Sequence, residues 1–498
     1  MSKKLTGCIF LNRSYIRWQH AMVLDLKERY GIAEWCAVLY GKGAYEFTKN
    51  QKEINYSPLL VNDFLGVEAD KEVVDDEYLN QKEKEYGSPF FWPEFINDRH
   101  IYIDWPRQFY PKINPNRNFY QIRQQFQIRI REIEKMLDET RPDFVLFVDA
   151  GAMTLNLLYH IARKRGIPTL VLWINRPSGM AGVTDNLYGT FNMVDKFFEE
   201  IKAGRQSLKR QAAELWIKSF REKPTKPFYI SPGEFWNKFG QSSFRKFVLF
   251  VKNFVRKCLD YFDNSFPQIY NYSPIDFLRH NFILWKNNTF RFKFDKVDYS
   301  EDYVFFPLHQ EPELNLLMFA PYCADQGNTA LNIAQSIPLN CKLYVKDHPL
   351  MRDYRDKSFY KKLKKFPNIK IIDPKVGSAD LIKNAKLVTT IGGTAGFEAC
   401  FFKKPVITFS HTYYNPMSFV KHCKDLNTLP SLVKEALENH QHNEEEFVNF
   451  ASAMLEDSFK IDFNKLVTEK DIKKLKVNPD LLALSDSIIK YLQDVSSK

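Results

Sequence analysis

The sequence predicts an α/β protein of two doubly wound domains, with a basic helical insertion in the N-terminal half. Three observations predict it. Apolar runs of strand length alternate with helical periodicity up to about residue 175, and the alternation resumes from Tyr303. A chain of 498 residues is too long for one hydrophobic core. Between about residues 205 and 300 the rhythm breaks and the charge balance changes.

In the first half, Leu5–Phe10 reads as a buried strand, Arg17–Tyr30 as a helix and Trp35–Tyr40 as a second strand. Residues 50–115 are polar and dotted with proline, and carry no clear period. Arg117–Thr140 is helical by the spacing of Phe119, Ile122, Phe126, Ile133 and Met136. Strand 143–148, helix 152–165 and strand 168–174 follow. Strands separated by helices of this length argue for a parallel sheet. The second alternation comprises strands at 303–308, 342–345, 369–372, 387–390 and 406–409. Helices lie between them at 328–336, 358–365, 379–384 (with Ser378 as N-cap) and 395–402. Residues 468–492 close the chain as a helical tail. The expected division is therefore 1–300 (with the basic segment 205–300), 301–467 and 468–498.

The composition, 44% hydrophobic and 26% charged, is that of an ordinary globular protein. No apolar run reaches the ~18 residues of a transmembrane helix, and the apolar run ending at Phe10 is too short for a signal peptide. Seven scattered cysteines form no C-x-x-C pair, so a reduced, cytoplasmic protein without structural zinc is expected. Residues 201–300 hold 19 Lys and Arg against 8 Asp and Glu; that excess of 11 equals the net charge of the whole chain, +11. One basic segment in an otherwise neutral chain points to a local anionic surface; it holds no base-reading module, which excludes a nucleic-acid partner. Helix 243–262 is amphipathic, with Phe247, Val251, Val255 and Leu259 on one side and Arg245, Lys252, Arg256 and Lys257 on the other. It reads either as a helix on an anionic inner-membrane leaflet or as one packed on the N-terminal domain.

Two loops carry the chemistry. Leu343-Tyr344-Val345-Lys346-Asp347-His348-Pro349 is a strand that stops in Lys346, His348 and Pro349. Ligands of doubly wound sheets bind beyond the strand C-termini, where this loop falls. Leu387–Thr390 runs into Ile391-Gly392-Gly393-Thr394-Ala395-Gly396-Phe397-Glu398-Ala399, a strand, a small-residue turn and a helix start. Such a start aims unpaired N–H groups and the positive dipole end at an anion, so a phosphate fits. Glu398 then either accepts from ribose hydroxyls or merely serves the helix dipole. After the first strand of this half comes Leu308-His309-Gln310-Glu311-Pro312-Glu313. In the N-terminal half, Asp149 ends a strand, as a general base or, by the favoured reading, a helix cap. Arg176-Pro177-Ser178-Gly179 offers a cationic loop to an anionic acceptor. Asp75-Asp76-Glu77 reads as solvated surface, and His440 and His442 match no zinc spacing.

The order K-x-H-P, then T-x-G-x-E-A, then Lys404-Pro405-Val406-Ile407-Thr408-Phe409 and Tyr413-Tyr414 resembles the capsule polysaccharide biosynthesis family of bacterial glycosyltransferases, which includes Kdo transferases. The resemblance covers about residues 303–415. It implies the GT-B architecture, two Rossmann-like domains facing a cleft, and metal-independent transfer from a nucleotide-sugar donor, CMP-linked if the sugar is Kdo or a related acid, to a glycan or lipid-linked acceptor. It implies no other cofactor. By this resemblance Lys346, His348 and Pro349 contact the donor phosphate, and Gly393, Thr394 and Glu398 hold the nucleotide. An acidic residue near the anomeric carbon is expected in the loop of Glu311 and Glu313, with Asp149 as a further candidate. The family's two consecutive serines are replaced here by Gly393-Thr394, which leaves the donor open. Two alternatives remain: a nucleotide-sugar 2-epimerase, whose S-G-G-x-x-E-E run is absent, and a non-catalytic, membrane-associated assembly factor.

Overall fold

The computed structural model describes residues 4–12, 15–98, 117–148, 150–175, 179–224, 243–263, 265–267, 273–290, 292–351 and 353–496. The first sheet contains β1 (Thr6–Leu11), β2 (Glu34–Leu39), β3 (Tyr56–Val61), β4 (Phe144–Phe147), β5 (Thr169–Asn175) and β6 (Met180–Thr184). The second contains β7 (Tyr303–Pro307), β8 (Lys342–Lys346), β9 (Ile369–Ile372), β10 (Leu387–Thr390), β11 (Val406–Thr408) and β12 (Val420–His422). A last strand, β13 (Phe459–Lys460), returns to the first sheet.

Strand order is β13-β6-β5-β4-β1-β2-β3 in the first sheet and β12-β11-β10-β7-β8-β9 in the second. Strands β1 to β5 are mutually parallel, with β6 and β13 added antiparallel, and the second sheet is parallel throughout. Both are doubly wound, and order reverses beside β1 and β4 in one and beside β7 and β10 in the other. Buried clusters cover both faces of each sheet, as parallel sheets require.

Local chemistry fixes the element ends. Helix Phe119–Thr140 starts in a reciprocal capping box: Asn118 Oδ1 accepts from the Gln121 N–H and Gln121 Oε1 from the Asn118 N–H, both at 2.9 Å. Helix Ile16–Tyr30 stops at Gly31, whose φ of 73° is left-handed. Strand β3 lies in the stretch without period because Pro58 interrupts its pattern; it occupies a sheet edge, where a missing N–H is tolerated. Ser378, expected as an N-cap, is instead the first helical residue of Ser378–Asn384, with Gly377 before it, and its hydroxyl accepts from Lys346 Nζ.

The chain crosses between sheets. Helices Asn192–Lys202 and Arg210–Glu222 pack on helix Glu444–Glu456 and share a core with β7, β8 and β10. Arg221, Arg210 and Arg205 pair with Glu444, Glu445 and Glu456 at 2.6–2.7 Å. In the other direction, helices Phe463–Thr468, Ile472–Lys476 and Pro479–Ser496 bury Leu466, Leu475, Leu484 and Ile488 against helix Ile16–Tyr30 and the first sheet. The residues expected as a tail thus form part of the first core, because their apolar face has β1–β2 helix surface to cover.

Helix Ser243–Phe262 pairs with Pro274–Thr289, Phe250 stacking on Phe277 at 5.7 Å. Phe247, Val251, Val255, Leu259 and Phe262 remain exposed, as do Ile275, Phe282 and Trp285 of the partner helix. Phe266 anchors one end in the first core beside Tyr45 and Phe64, while Asn287 donates to the Asp353 carbonyl at the other. Among the described residues no helix is long and apolar enough to cross a membrane.

Candidate functional site

The order reversal of the second sheet brings the loops after β7 and β10 side by side, with the loop after β8 next to them. This is the crevice in which doubly wound sheets bind ligands.

The β10 loop needs its glycines. A Cβ on Gly392 would lie 2.3 Å from Ser410 Oγ, and one on Gly396 would lie 2.4 Å from the Tyr414 hydroxyl. Tyr414 uses that hydroxyl to donate to the Gly393 carbonyl at 2.7 Å, while the Gly393 N–H donates to Thr390 Oγ1 at 3.0 Å. The turn is thereby fixed from both sides. Helix Thr394–Phe401 then begins without a side-chain cap, leaving its first N–H groups facing the crevice.

Glu398 lies in this helix, buried, and accepts from the Thr394 hydroxyl at 3.3 Å. Burial pushes its carboxyl up to about 7, opposed by the Thr394 bond and by Lys346. Lys346, at the end of β8, is also buried and donates to Ser378 Oγ at 3.0 Å. Burial pulls its ammonium down to about 8, against the pull of Glu398, Asp347 and Asp373. An anion arriving beside Lys346 favours its charged form.

His348 follows. The Leu350 N–H donates to its Nδ1 at 3.2 Å, which assigns the proton of the neutral ring to Nε2. Burial lowers its pKa to about 4, Glu313 opposing and Lys346, His309 and Arg355 adding to the fall. His348 is therefore a neutral donor near pH 7. Pro349 opens the short 3-10 turn Pro349–Met351 that closes this loop.

The β7 loop holds a network that sequence reasoning missed. Arg355, fully enclosed, donates Nη2 to the His309 carbonyl at 2.8 Å, Nε to Asp347 Oδ1 at 2.9 Å and Nη1 to Glu311 Oε1 at 2.9 Å. Asp347 and Glu311 outweigh the burial that disfavours the guanidinium charge, and its pKa is raised. Gln326 accepts from the His309 N–H at 2.6 Å and donates to its carbonyl at 3.2 Å. Glu311 thus sits in a buried ion-pair lattice that ties the β7 loop to the β8 loop. Glu313 does something else: its Oε2 lies 3.0 Å from His309 Nδ1. No periodic signal marks Arg355 or Gln326; His309 was in view, between apolar and acidic residues, and drew less notice than its carboxylates.

The first domain reaches the same place. Gly151, with φ 86°, lies so close to Leu314 that a Cβ there would be 2.1 Å from Leu314 Cδ2, one residue beyond Glu313. Asp149 lies outside the described residues, as do Arg176, Pro177 and Ser178. The cap of helix Met153–Lys164 comes from Asp98, whose Oδ2 accepts from the Met153 N–H at 2.8 Å. Asp75 caps helix Asp76–Tyr86 by accepting from the Tyr78 N–H at 3.0 Å. Among the described residues no group of His, Cys, Asp and Glu is placed to hold a metal ion.

Residues 296–422, spanning all three loops, match the family model described as capsule polysaccharide biosynthesis protein. Within those residues the chain is similar to this family. The match extends over the order reversal and the loops that flank it, so it falls on the same crevice. The chain is also 28% identical to Protein FixF of Sinorhizobium fredii over 146 residues, 29% of this chain and 35% of FixF, so it spans about a third of that relative. Among solved structures it is similar to the beta Kdo 2,7 transferase of Thermosulfurimonas dismutans KpsC (12% identity, TM-score 0.37, covering 76% of this chain and 97% of that one). The KpsC beta Kdo 2,4 transferase gives 14% and 0.34, covering 63% and 79%. The UDP-GlcNAc 2-epimerase of Methanocaldococcus jannaschii gives 15% and 0.26, covering 91% and 98%. At such scores the likeness carries nothing about mechanism or substrate.

Proposed function

We propose that the chain is a glycosyltransferase of surface polysaccharide synthesis that takes a nucleotide-activated sugar in the crevice of the second domain. One observation carries this reading: the uncapped helix start at Gly393, the buried Lys346 and the neutral donor His348 converge on one place, and each favours an oxyanion. Lys346, His348 and Pro349 hold the donor phosphate, and Gly393, Thr394 and Glu398 the nucleotide. Glu313 is the carboxylate nearest the reacting carbon, and Glu311 positions the loop. The sugar is Kdo or a related acid carried on CMP, and transfer proceeds without a metal. The acceptor, a glycan or a lipid-linked glycan, enters from the first domain.

Melting the parent and His348→Ala with CMP, CDP, UDP and GDP tests the reading. A nucleotide at 100 times its dissociation constant adds ~2.7 kcal/mol of stability to the parent, and the variant should lose that gain while keeping its fold. Equal gains in both proteins sink the phosphate assignment. Incubation of the bound nucleotide's sugars separates transfer from 2-epimerisation, and binding without turnover marks a non-catalytic assembly factor.

The paired helices 243–262 and 274–289 support a place on the inner face of the cytoplasmic membrane. They expose large apolar side chains next to Arg245, Lys252, Arg256 and Lys257, the combination that an anionic bilayer attracts. Changing those four residues to Gln should release the protein from anionic vesicles at low salt. Failure of the parent to sediment with the vesicles refutes this part alone.

A further inference from the structure

His309 is more than 90% buried, yet its Nε2 has no hydrogen-bond partner. An imidazole shut away from water with an unused ring nitrogen is costly unless a ligand completes it. The ring is also held unusually well. Glu313 Oε2 engages Nδ1 at 3.0 Å, and Gln326 and Arg355 fix its backbone from both sides. The free edge points at the helix start: a Cβ on Gly393 would stand 3.2 Å from Cε1 and 3.5 Å from Nε2. A side chain at Gly393 would narrow the gap between ring and helix.

We propose that His309, positioned by Glu313, donates its Nε2 hydrogen to the phosphate of the sugar donor and stabilises that phosphate as the leaving group. The inference rests on the nucleotide-sugar reading and gives the site a residue that reading lacks. As the bond from the anomeric carbon to the phosphate oxygen breaks, its electron pair passes to that oxygen, while the acceptor hydroxyl oxygen bonds to the carbon and gives its proton to water. The Nε2–H bond meets the growing negative charge while the Glu313 carboxylate balances the imidazolium through Nδ1. No proton has to leave the ring, so His309 is ready for another turnover when the nucleotide departs. The two histidines then divide the work: His348 is a fixed neutral donor, and His309 is held by Glu313 at Nδ1 with its Nε2 edge left for the phosphate. Glu313 is in this scheme a positioning residue, whatever else it does at the sugar.

The test uses the full chain and whichever of CMP, CDP, UDP and GDP binds the parent. His309→Asn keeps a polar group facing Glu313 and deletes the Nε2 donor; His309→Gln restores an N–H near that position. We expect Asn to weaken the nucleotide at least ten-fold with no change for the corresponding phosphate-free nucleoside, and Gln to recover part of the loss. Nitrogen-15 NMR of the parent gives a reading independent of variant folding: nucleotide should shift the His309 Nε2 resonance, and Glu313→Gln should shrink that shift. Parent-like nucleotide affinity in His309→Asn, or an unmoved Nε2 resonance, overturns the proposal. If His348→Ala loses binding and His309→Asn does not, the error lies in His309 alone. If no nucleotide binds the parent, the donor reading fails and this one with it.

Discussion

Replacing Glu398 by glutamine should make the nucleotide-free protein more stable at alkaline pH and leave it unchanged in acid. The carboxyl has an ordinary pKa of 4.5 and is pushed up to about 7 by burial in the folded chain. Between those values the folded state holds a proton that the unfolded state has lost, so stability falls as pH rises through that window. At about 1.4 kcal/mol per pKa unit, the ionised carboxylate costs the fold on the order of 3 kcal/mol above pH 7. Glutamine keeps the shape and the contact with Thr394 and never ionises. Lys346 does not reverse the result. Its ammonium is lowered to about 8, so its own penalty is present below that pH and relieved as pH rises towards 10.5. At pH 5 Glu398 is protonated and Lys346 meets no anion there in parent or variant, and at pH 9 Lys346 is mostly neutral in both. Urea unfolding at pH 5 and pH 9 should therefore give a difference near zero in acid and a gain for the variant of up to about 3 kcal/mol in base. A glutamate that served only the helix dipole would instead lose ~0.3–1 kcal/mol on substitution. A difference that does not change with pH, or a loss at pH 9, refutes the buried-carboxylate argument.

Arg355→Met should destabilise the protein by ~3–5 kcal/mol in urea unfolding, because it leaves the buried carboxylate of Asp347 and that of Glu311 without their cation; a loss under 1 kcal/mol would show the lattice to be dispensable. Gly396→Ala should cost ~1–3 kcal/mol by driving a methyl into the Tyr414 hydroxyl, and Tyr414→Phe alone about 1 kcal/mol through its lost bond to Gly393. Together they should cost less than their sum, since the phenyl ring removes the closest of the clashing atoms and leaves Thr390 Cγ2 at 2.9 Å; strict additivity argues against the packing described.

Both strand-to-loop transitions of the candidate site were legible, because an apolar run that ends in Lys346 or in Gly392-Gly393 announces a strand C-terminus without reference to the rest of the chain. Strand β3 was not, because Pro58 erased the alternation that an edge position tolerates. The destination of the C-terminal helices was equally hidden: amphipathic spacing tells that a face is covered, not which surface covers it. Arg355 and Gln326 act through backbone atoms of His309 more than 15 residues away, contacts that leave no pattern in sequence. Ser378 looked like a cap because serine before a helix usually is one, and it proved to be the partner of a buried lysine whose burial could not be foreseen.

The two-way crossing of the chain bears on how the protein is made. Strand β6 waits for Phe459 and Lys460, and the outer face of helix Ile16–Tyr30 waits for helices Phe463–Thr468, Ile472–Lys476 and Pro479–Ser496. An N-terminal half emerging from the ribosome therefore shows an unpaired sheet edge and an uncovered apolar face until residues 459–496 follow, the kind of surface that invites misassembly. A chain cut before Phe459 would lack the last strand of the first sheet, and one cut before Pro479 part of its helix cover, even with every loop of the second domain intact. Secure folding of the first sheet thus depends on a stretch of chain that follows the loops of the second domain.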